Sequence, residues 1–342
     1  MDSIESVIGQ SSAFLDCLER ASRAAALNRP VLVVGERGTG KELVAARLHR
    51  LSNRWAGPLV AINCAALPEN LIETELFGNE AGAFTGALKA REGRFEQADG
   101  GTLFLDELAT LSPAAQERLL RAVEYGEVTR VGSNRPLKVD VRIVAATNEH
   151  LPALAAAGKF RADLLDRLAF EVVTLPPLRA REGDVPVLAE HFGRRMASEL
   201  GWARWPGFSA GAVEELCGYG WPGNVRELRN VVERAVYRWD DETLAVEAIE
   251  FDPFASPWRP AAPQAPPVAS PMPQPSVEPC GKLKEAVEAY EHRLLSDALE
   301  RARWNQREAA RALGLSYDQL RHCLRRHGLL EKRGSPTKIA RD

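Results

Sequence analysis

Residues 31–42 read VLVVGERGTGKE. Val31–Val34 form an apolar, β-branched run of strand type. A helical pattern begins at Lys41, and glycines and charges fill the gap between them. Gly35, Gly40 and Lys41 fit G-x-x-x-x-G-K, with Glu36, Arg37, Gly38 and Thr39 completing the loop. Glycines let backbone N–H groups close around phosphates. The helix start that follows favours anions, and a lysine at this place reaches the outer phosphates of a nucleotide. The competing reading, a glycine-rich turn without a ligand, leaves the strand–loop–helix context unexplained. Glu42 stands where the general pattern has the Ser or Thr that holds Mg²⁺.

Further strands fall at Leu59–Asn63, Thr102–Asp106, Val141–Thr147 and Val172–Leu175, with helical patterns between most of them. That rhythm predicts an α/β fold over residues 1–180, a parallel sheet with crossover helices. GGTLFLDE, residues 100–107, ends in two carboxylates. Asp106 is placed to hold Mg²⁺ directly or through water, and Glu107 to polarise an attacking water. Two solvated acids at a strand end are the plainer alternative. Asn148 follows the next strand at its carboxyl end, where parallel sheets face their ligand, and could orient water beside a γ-phosphate. Taken alone, Thr147-Asn148 reads as readily as a turn.

From Gly183 to Ile249 helical patterns replace strands, which predicts a helical lid subdomain over residues 181–250. Residues 253–280 hold 10 of the 22 prolines, so a semi-rigid linker is expected over 251–281. Helical periodicity resumes over residues 282–330, ahead of a tail at 331–342. NQREAARALGLSYDQLRHCLRRHGL, residues 305–329, reads as a helix-turn-helix. Asn305 caps one helix, Gly314 makes the turn and Ser316 caps the second. The outer face of that second helix carries Tyr317, Gln319, Arg321, His322, Arg325 and Arg326. Its arginines suit phosphate contacts, and Gln319, Arg321 and His322 suit base edges. A helical hairpin used only for dimerisation is the alternative. The helical pattern of Leu283–Leu299 suits a dimer interface.

Across the 342 residues no apolar run is long enough for a bilayer, and MDSIESVIGQ lacks the form of a signal peptide. The five cysteines are scattered, as expected of reduced thiols in a cytoplasmic protein. Charge is uneven. From Gly281 onward there are 14 Lys+Arg against 9 Asp+Glu, leaving 30 against 38 for the remainder. A small basic unit tethered to a large acidic one suggests that only the former meets a polyanion.

GNEAGAFTGA, residues 78–87, fits none of these elements. Its glycines weaken helix and strand alike, and Phe84 stands as a lone aromatic among small residues. Together with Gly35–Glu42, Gly100–Glu107 and WPGNVREL at 221–228, this stretch resembles the bacterial enhancer-binding proteins. Those are AAA+ ATPases that activate RNA polymerase carrying sigma-54. The resemblance covers about residues 6–250 and 285–328. GERGTGKELVAARLH, FRADLLDRLAF and the lack of a leading receiver domain are most similar to the family's phage-shock branch. Glu at position 42 is usual in this family.

The resemblance implies an αβα AAA+ core with a lid, a Fis-type DNA-binding domain for enhancer DNA, and assembly into a homo-oligomeric ring, a hexamer. ATP with Mg²⁺ is the implied cofactor. Arg161 and Arg167 match the family's arginine fingers, which reach a neighbour's γ-phosphate. Because they are six apart, Arg161 must lie at or before the helix start if both serve one nucleotide. Arg226 matches the lid arginine. Asn63 matches a residue that holds the catalytic glutamate from water, and Ile8 and Gly9 are placed at the adenine. Gly82, Ala83, Phe84, Thr85, Gly86 and Ala87 match the loop tip that contacts sigma-54. Glycine hinges and one compact aromatic suit that contact. A second projecting loop is expected at about Tyr125–Leu137. Without a sensing domain, the branch implies inhibition in trans by a PspA-like protein, with any membrane association through partners alone. Trp55 in SNRWAGP is the candidate anchor for that inhibitor, or else a half-buried helix cap. Two other functions fit part of the pattern: a DNA-binding repressor with a structural nucleotide site, and an AAA+ remodeller of another substrate.

Overall fold

The computed structural model describes residues 7–84, 87, 89–254, 258 and 283–329. Thr85 and Gly86 of the expected contact tip, most of the expected linker, and the tail at 331–342 lie outside these residues. The chain divides into two compact units, Met1–Ala255 and Ser256–Asp342.

The strands of the first unit are β1 (Val31–Val34), β2 (Leu59–Asn63), β3 (Thr102–Asp106), β4 (Glu127–Thr129), β5 (Pro136–Lys138), β6 (Arg142–Thr147) and β7 (Glu171–Thr174). Five of them form a parallel sheet in the order β2-β3-β6-β1-β7. Parallel strands need crossovers, and these cover both faces. Alternation along the strands sorts the side chains. Leu32, Leu103, Leu105, Ile143 and Ala145 enter one core, while Val31, Val33, Phe104, Val144 and Ala146 enter the other. The first core is closed by α3 (Glu69–Phe77), α5 (Pro113–Tyr125), α6 (Leu151–Ala156) and α7 (Ala162–Leu168), with the short α4 (Arg94–Gln97) beside α3. The second is closed by α1 (Ser12–Ala25) and α2 (Lys41–Arg50). Arg142, 3% exposed, ties the sheet to the end of α1 by donating to the carbonyls of Ala24, Ala25 and Arg29. A helix C-terminus thus supplies the partial negative charge this buried cation needs.

Two boundaries differ from expectation. The sixth strand starts at Arg142 rather than Val141, and the seventh runs Glu171–Thr174 rather than Val172–Leu175. Leu175 still donates to Val34 O at 2.8 Å, but the prolines that follow have no N–H to continue the ladder. The stretch expected to be a loop at Tyr125–Leu137 contains the antiparallel pair β4–β5. Gly126, at φ +64, ends α5 and lets the chain turn into that hairpin.

Beyond β7 come α8 (Asp184–Glu199), α9 (Ala210–Gly218) and α10 (Asn224–Tyr237). They enclose a core of Leu188, Phe192, Leu216, Trp221, Leu228 and Val232. Trp221 is fully buried, and its indole N–H donates to Leu216 O at 2.9 Å. In the second unit, α11 (Leu283–Arg301), α12 (Gln306–Ala312) and α13 (Tyr317–Arg326) pack around Leu295, Leu299, Ala309, Leu320 and Leu324.

Candidate functional site: a phosphate cleft and a helix-turn-helix

The loop after β1 wraps the start of α2. Gly38 and Gly40 have φ of +77 and +96, a region costly for residues with a Cβ. Thr39 braces the loop by donating its hydroxyl to Glu36 O at 2.8 Å. Lys41 is buried and donates to Gly35 O at 3.1 Å and Glu36 O at 3.4 Å. Burial pulls its ammonium below the usual value, while Glu107 and Asp106 oppose that shift. Gly35 packs closely on Leu175, and Glu42 lies in the first turn of α2.

Asp106 ends β3, and its carboxylate accepts the Glu107 N–H at 3.0 Å. Glu107 has φ +52, and one of its oxygens lies 3.8 Å from Arg37 Nε. Asn63 is the register partner of Asp106 on β2, and its side-chain oxygen accepts from Ala65 N–H at 2.9 Å. Glu107 thus has Arg37 beside it, and the oxygen of Asn63 is bound within its own turn. Next to them burial pushes the Cys64 thiol up to about 12, with help from Asp106 and Glu107, which makes it unreactive. Asn148, half-buried, follows β6, the strand between β3 and β1.

Lys41, Asp106, Glu107 and Arg226 line one cleft of about 250 Å³. Its other end is apolar, with Ile8, Leu188, Phe192 and Val225. Shape and polarity therefore suit a flat base at one end and phosphates at the other. The lid reaches the loop directly: Arg226 N–H donates to Gly38 O at 3.3 Å, and a Cβ on Gly38 would come within 2.3 Å of Gly223 O. Gly9 (φ +155) packs so tightly that a Cβ would lie 2.5 Å from Phe14.

Sequence reasoning missed four residues here. Asp184, fully buried, accepts from Gln10 N–H (2.6 Å), Ser11 N–H (2.9 Å) and Arg181 (2.7 Å). Burial alone would raise its carboxyl; hydrogen bonds from Gln10, Arg181 and Ser11 outweigh that and hold it low. Arg181 in turn donates to Ile8 O at 3.0 Å, fixing the strap that lines the apolar end. Asn224 and Arg179 converge on the loop's Glu36. No local signal marks these partners, because they lie far apart in sequence. An Asn after Gly223, a residue type that tolerates left-handed backbone, was the one hint.

Arg161 is the N-cap of α7, and Arg167 lies in its last turn. Each is held by a carboxylate of its own chain at 2.6 Å: Arg161 by Asp163, Arg167 by Glu124. Neither is among the residues lining the cleft. At the tip, Gly82 N–H donates to Ala87 O at 2.8 Å, and Phe84 is 45% exposed. Ala83 packs against Gly132 of the β4–β5 connection, and Glu80 N–H donates to Val131 O at 3.0 Å. The tip thus stands on the hairpin. Trp55 is 68% exposed, which removes the half-buried cap as an account of it. Arg54 fixes its turn through Asp140 at 2.5 Å and Asn28 at 2.9 Å.

In the second unit Asn305 and Ser316 cap α12 and α13 with their side chains. Gln319 closes a capping box by accepting the Ser316 N–H at 2.9 Å, so its carbonyl oxygen is committed within its own helix. Arg321, His322, Arg325 and Arg326 are exposed along α13, and Arg326 has Glu291 at 3.6 Å. Tyr317 is 41% exposed and donates to Gln306 at 3.4 Å.

A P-loop, paired strand-end acids and a lid arginine around one cleft define an AAA+ nucleoside-triphosphatase, here on one chain with a helix-turn-helix. Residues 7–174 match the sigma-54 interaction domain, 179–261 the AAA+ ATPase lid domain, and 286–327 the Fis family of bacterial regulatory proteins. The chain belongs to the sigma-54-dependent transcriptional activators, which are ATPases. It is 52% identical over 323 residues to the Psp operon transcriptional activator of Escherichia coli K12, spanning 94% of this chain and 98% of that one. To the Nif-specific regulatory protein of Azotobacter vinelandii it is 43% identical over 314 residues, 92% of this chain but 57% of the longer relative. NtrX from Brucella abortus, solved with ATP and with ADP, is 31–32% identical with TM-scores of 0.65 and 0.66, over 94–95% of this chain and 69–70% of that one. Among the described residues no helix is long and apolar enough to cross a membrane.

Proposed function

We propose that the chain is an ATP-driven activator of the phage-shock type, working in the cytoplasm as a hexameric ring. Bound to paired enhancer half-sites through α13, it remodels the closed complex of sigma-54 polymerase through the tip at residues 82–87. The observation that carries this reading is that Lys41, Asp106, Glu107 and Arg226 line one cleft.

The proposed roles combine the family resemblance with the charge of each group. Loop N–H groups and Lys41 hold the phosphates, and Arg226 closes over them from the lid. Ile8 faces the base, and Gly9 packs the strap behind it onto Phe14. Glu107 polarises the attacking water, Asn148 orients it, and Asn63 restrains Glu107 until contacts change. Among the described residues no cluster of His, Cys, Asp or Glu builds a metal cage. Asp106 with nucleotide phosphates and water nevertheless fits Mg²⁺, which favours a few hard oxygen ligands. Such an ion, held by Asp106, would supply positive charge against the nucleotide's phosphates. Arg161 and Arg167 leave Asp163 and Glu124 to complete a neighbour's site. Phe84, with Thr85 beside it, contacts sigma-54. Exposed Trp55 suits an anchor for a PspA-like inhibitor; unchanged inhibitor affinity in Trp55→Ala would remove that role. Ser316 and Tyr317 open the DNA-reading helix, Arg321 and His322 face bases with the Gln319 amide, and Arg325 and Arg326 face phosphates.

In vitro transcription from a sigma-54 promoter tests the whole. Open complexes should form with ATP and not with ADP. Equal activity without ATP would sink the reading.

A further inference from the structure

Glu36 belongs to the phosphate loop by sequence, yet its carboxylate faces the lid junction. Arg179 donates to both of its oxygens, at 2.5 and 2.9 Å. Asn224 Nδ2 donates to the same carboxylate at 3.0 Å and to Arg37 O at 3.0 Å. The other end of that amide, Asn224 Oδ1, accepts the Leu178 N–H at 2.8 Å. Leu178–Ala180 is the 3₁₀ segment that joins β7 to α8, and Asn224 is the first residue of α10. The phosphate loop, the segment that joins β7 to α8 and the first lid residue of α10 therefore share one hydrogen-bonded knot.

Asn224 is fully buried at φ +53, so its backbone is held in a sparsely populated region while its amide is satisfied at both ends. Arg179 and Glu36 are about half exposed, at 51% and 43%. An ion pair that open contributes little stability, but a bidentate guanidinium–carboxylate pair fixes geometry. Two residues beyond Asn224, Arg226 donates its own N–H to the loop at Gly38 O. The knot thus sets where the start of α10 sits relative to Lys41.

We propose that Glu36, Arg179 and Asn224 are positioning residues that register the lid on the phosphate loop and so place Arg226 over the nucleotide's outer phosphates. Their side chains act through Arg226, being engaged with one another at the lid junction. The carboxylate stays charged in this role, because hydrogen bonds from Arg179, then Asn224, hold Glu36 down at about 2. The inference rests on Arg226 contacting the phosphates.

The test is a double-mutant cycle in the full chain, read by equilibrium binding of ATP labelled with a fluorescent ribose group. Glu36→Gln keeps size and one acceptor, and its partly exposed place spares the core. It should weaken binding about tenfold, as should Arg179→Met, with Arg179→Lys restoring part of the loss. In an Arg226→Ala background Glu36→Gln should add nothing further, because its effect is already spent. Independent, multiplying losses would overturn the inference, and so would unchanged binding in Glu36→Gln. If Arg226→Ala alone left binding unchanged, the phosphate role of Arg226 would fall first. The two failures are thereby distinguished.

Discussion

Glu107 sits at φ +52, in a backbone region that non-glycine residues rarely occupy. Such conformations persist where surrounding structure over-determines them, often at functional sites. Here the strand end and the Asp106 carboxylate on the Glu107 N–H fix it. Glu107→Gln preserves shape and removes the proposed base. ATP affinity should stay within about twofold while turnover falls about a hundredfold or more, measured by phosphate release beside equilibrium binding. Turnover near the wild-type rate would assign the base elsewhere. At the tip, Phe84 is the one large apolar group available to a partner, and it is 45% exposed. Phe84→Ala should abolish open-complex formation at a sigma-54 promoter, followed by short-transcript synthesis; full activation in that variant would end the tip's assignment. Both residues stand out in the sequence because their motifs are local. The Arg37 contact to Glu107 was not, since it depends on two loops meeting.

At the scale of elements, α2 is clasped to the sheet away from the nucleotide. His49 Nδ1 lies 2.9 Å from Thr102 Oγ1, and the ring is buried. Burial, followed by nearby Arg142, holds this imidazole below its ordinary 6.5. The fold thus prefers the neutral ring. As pH falls through 6.5 the unfolded chain takes up the proton first, so stability is present above that value and is lost below it. Melting temperatures from about pH 8 to 5 should fall more steeply in the wild type than in His49→Gln; parallel curves would refute the clasp. Element legibility follows the same physics as residue legibility. β1, β3 and the caps Asn305 and Ser316 showed in the sequence through apolar runs and capping residues that act over a few positions. The β4–β5 pair did not, since strands as short as Glu127–Thr129 and Pro136–Lys138 carry no period to read. Asp184 reads as an ordinary polar residue, and Asn224 only as part of the WPGNVREL stretch. Their meaning comes from partners 173 and 188 residues away, Ser11 and Glu36.

For the whole molecule, the proposed ring makes a demand that a lone protomer does not. Arg161 and Arg167 are each tied to a carboxylate of their own chain and do not line their own cleft. If they serve a neighbour's nucleotide, catalysis requires Glu107 from one subunit and Arg167 from the next. Glu107→Gln and Arg167→Ala should each be nearly inactive alone, the second because a trans arginine contributes about a thousandfold or more to phosphoryl transfer. Mixing them gives a sharper result. In a ring of head-to-tail contacts, a subunit with intact Glu107 whose neighbour keeps Arg167 rebuilds one complete site. Random equal mixing places that pair at roughly a quarter of interfaces. Two silent preparations should therefore regain a fraction of wild-type turnover on mixing, rising with protein concentration as rings assemble. Arginines acting within their own subunit would give none, because every subunit in the mixture then carries one fatal change.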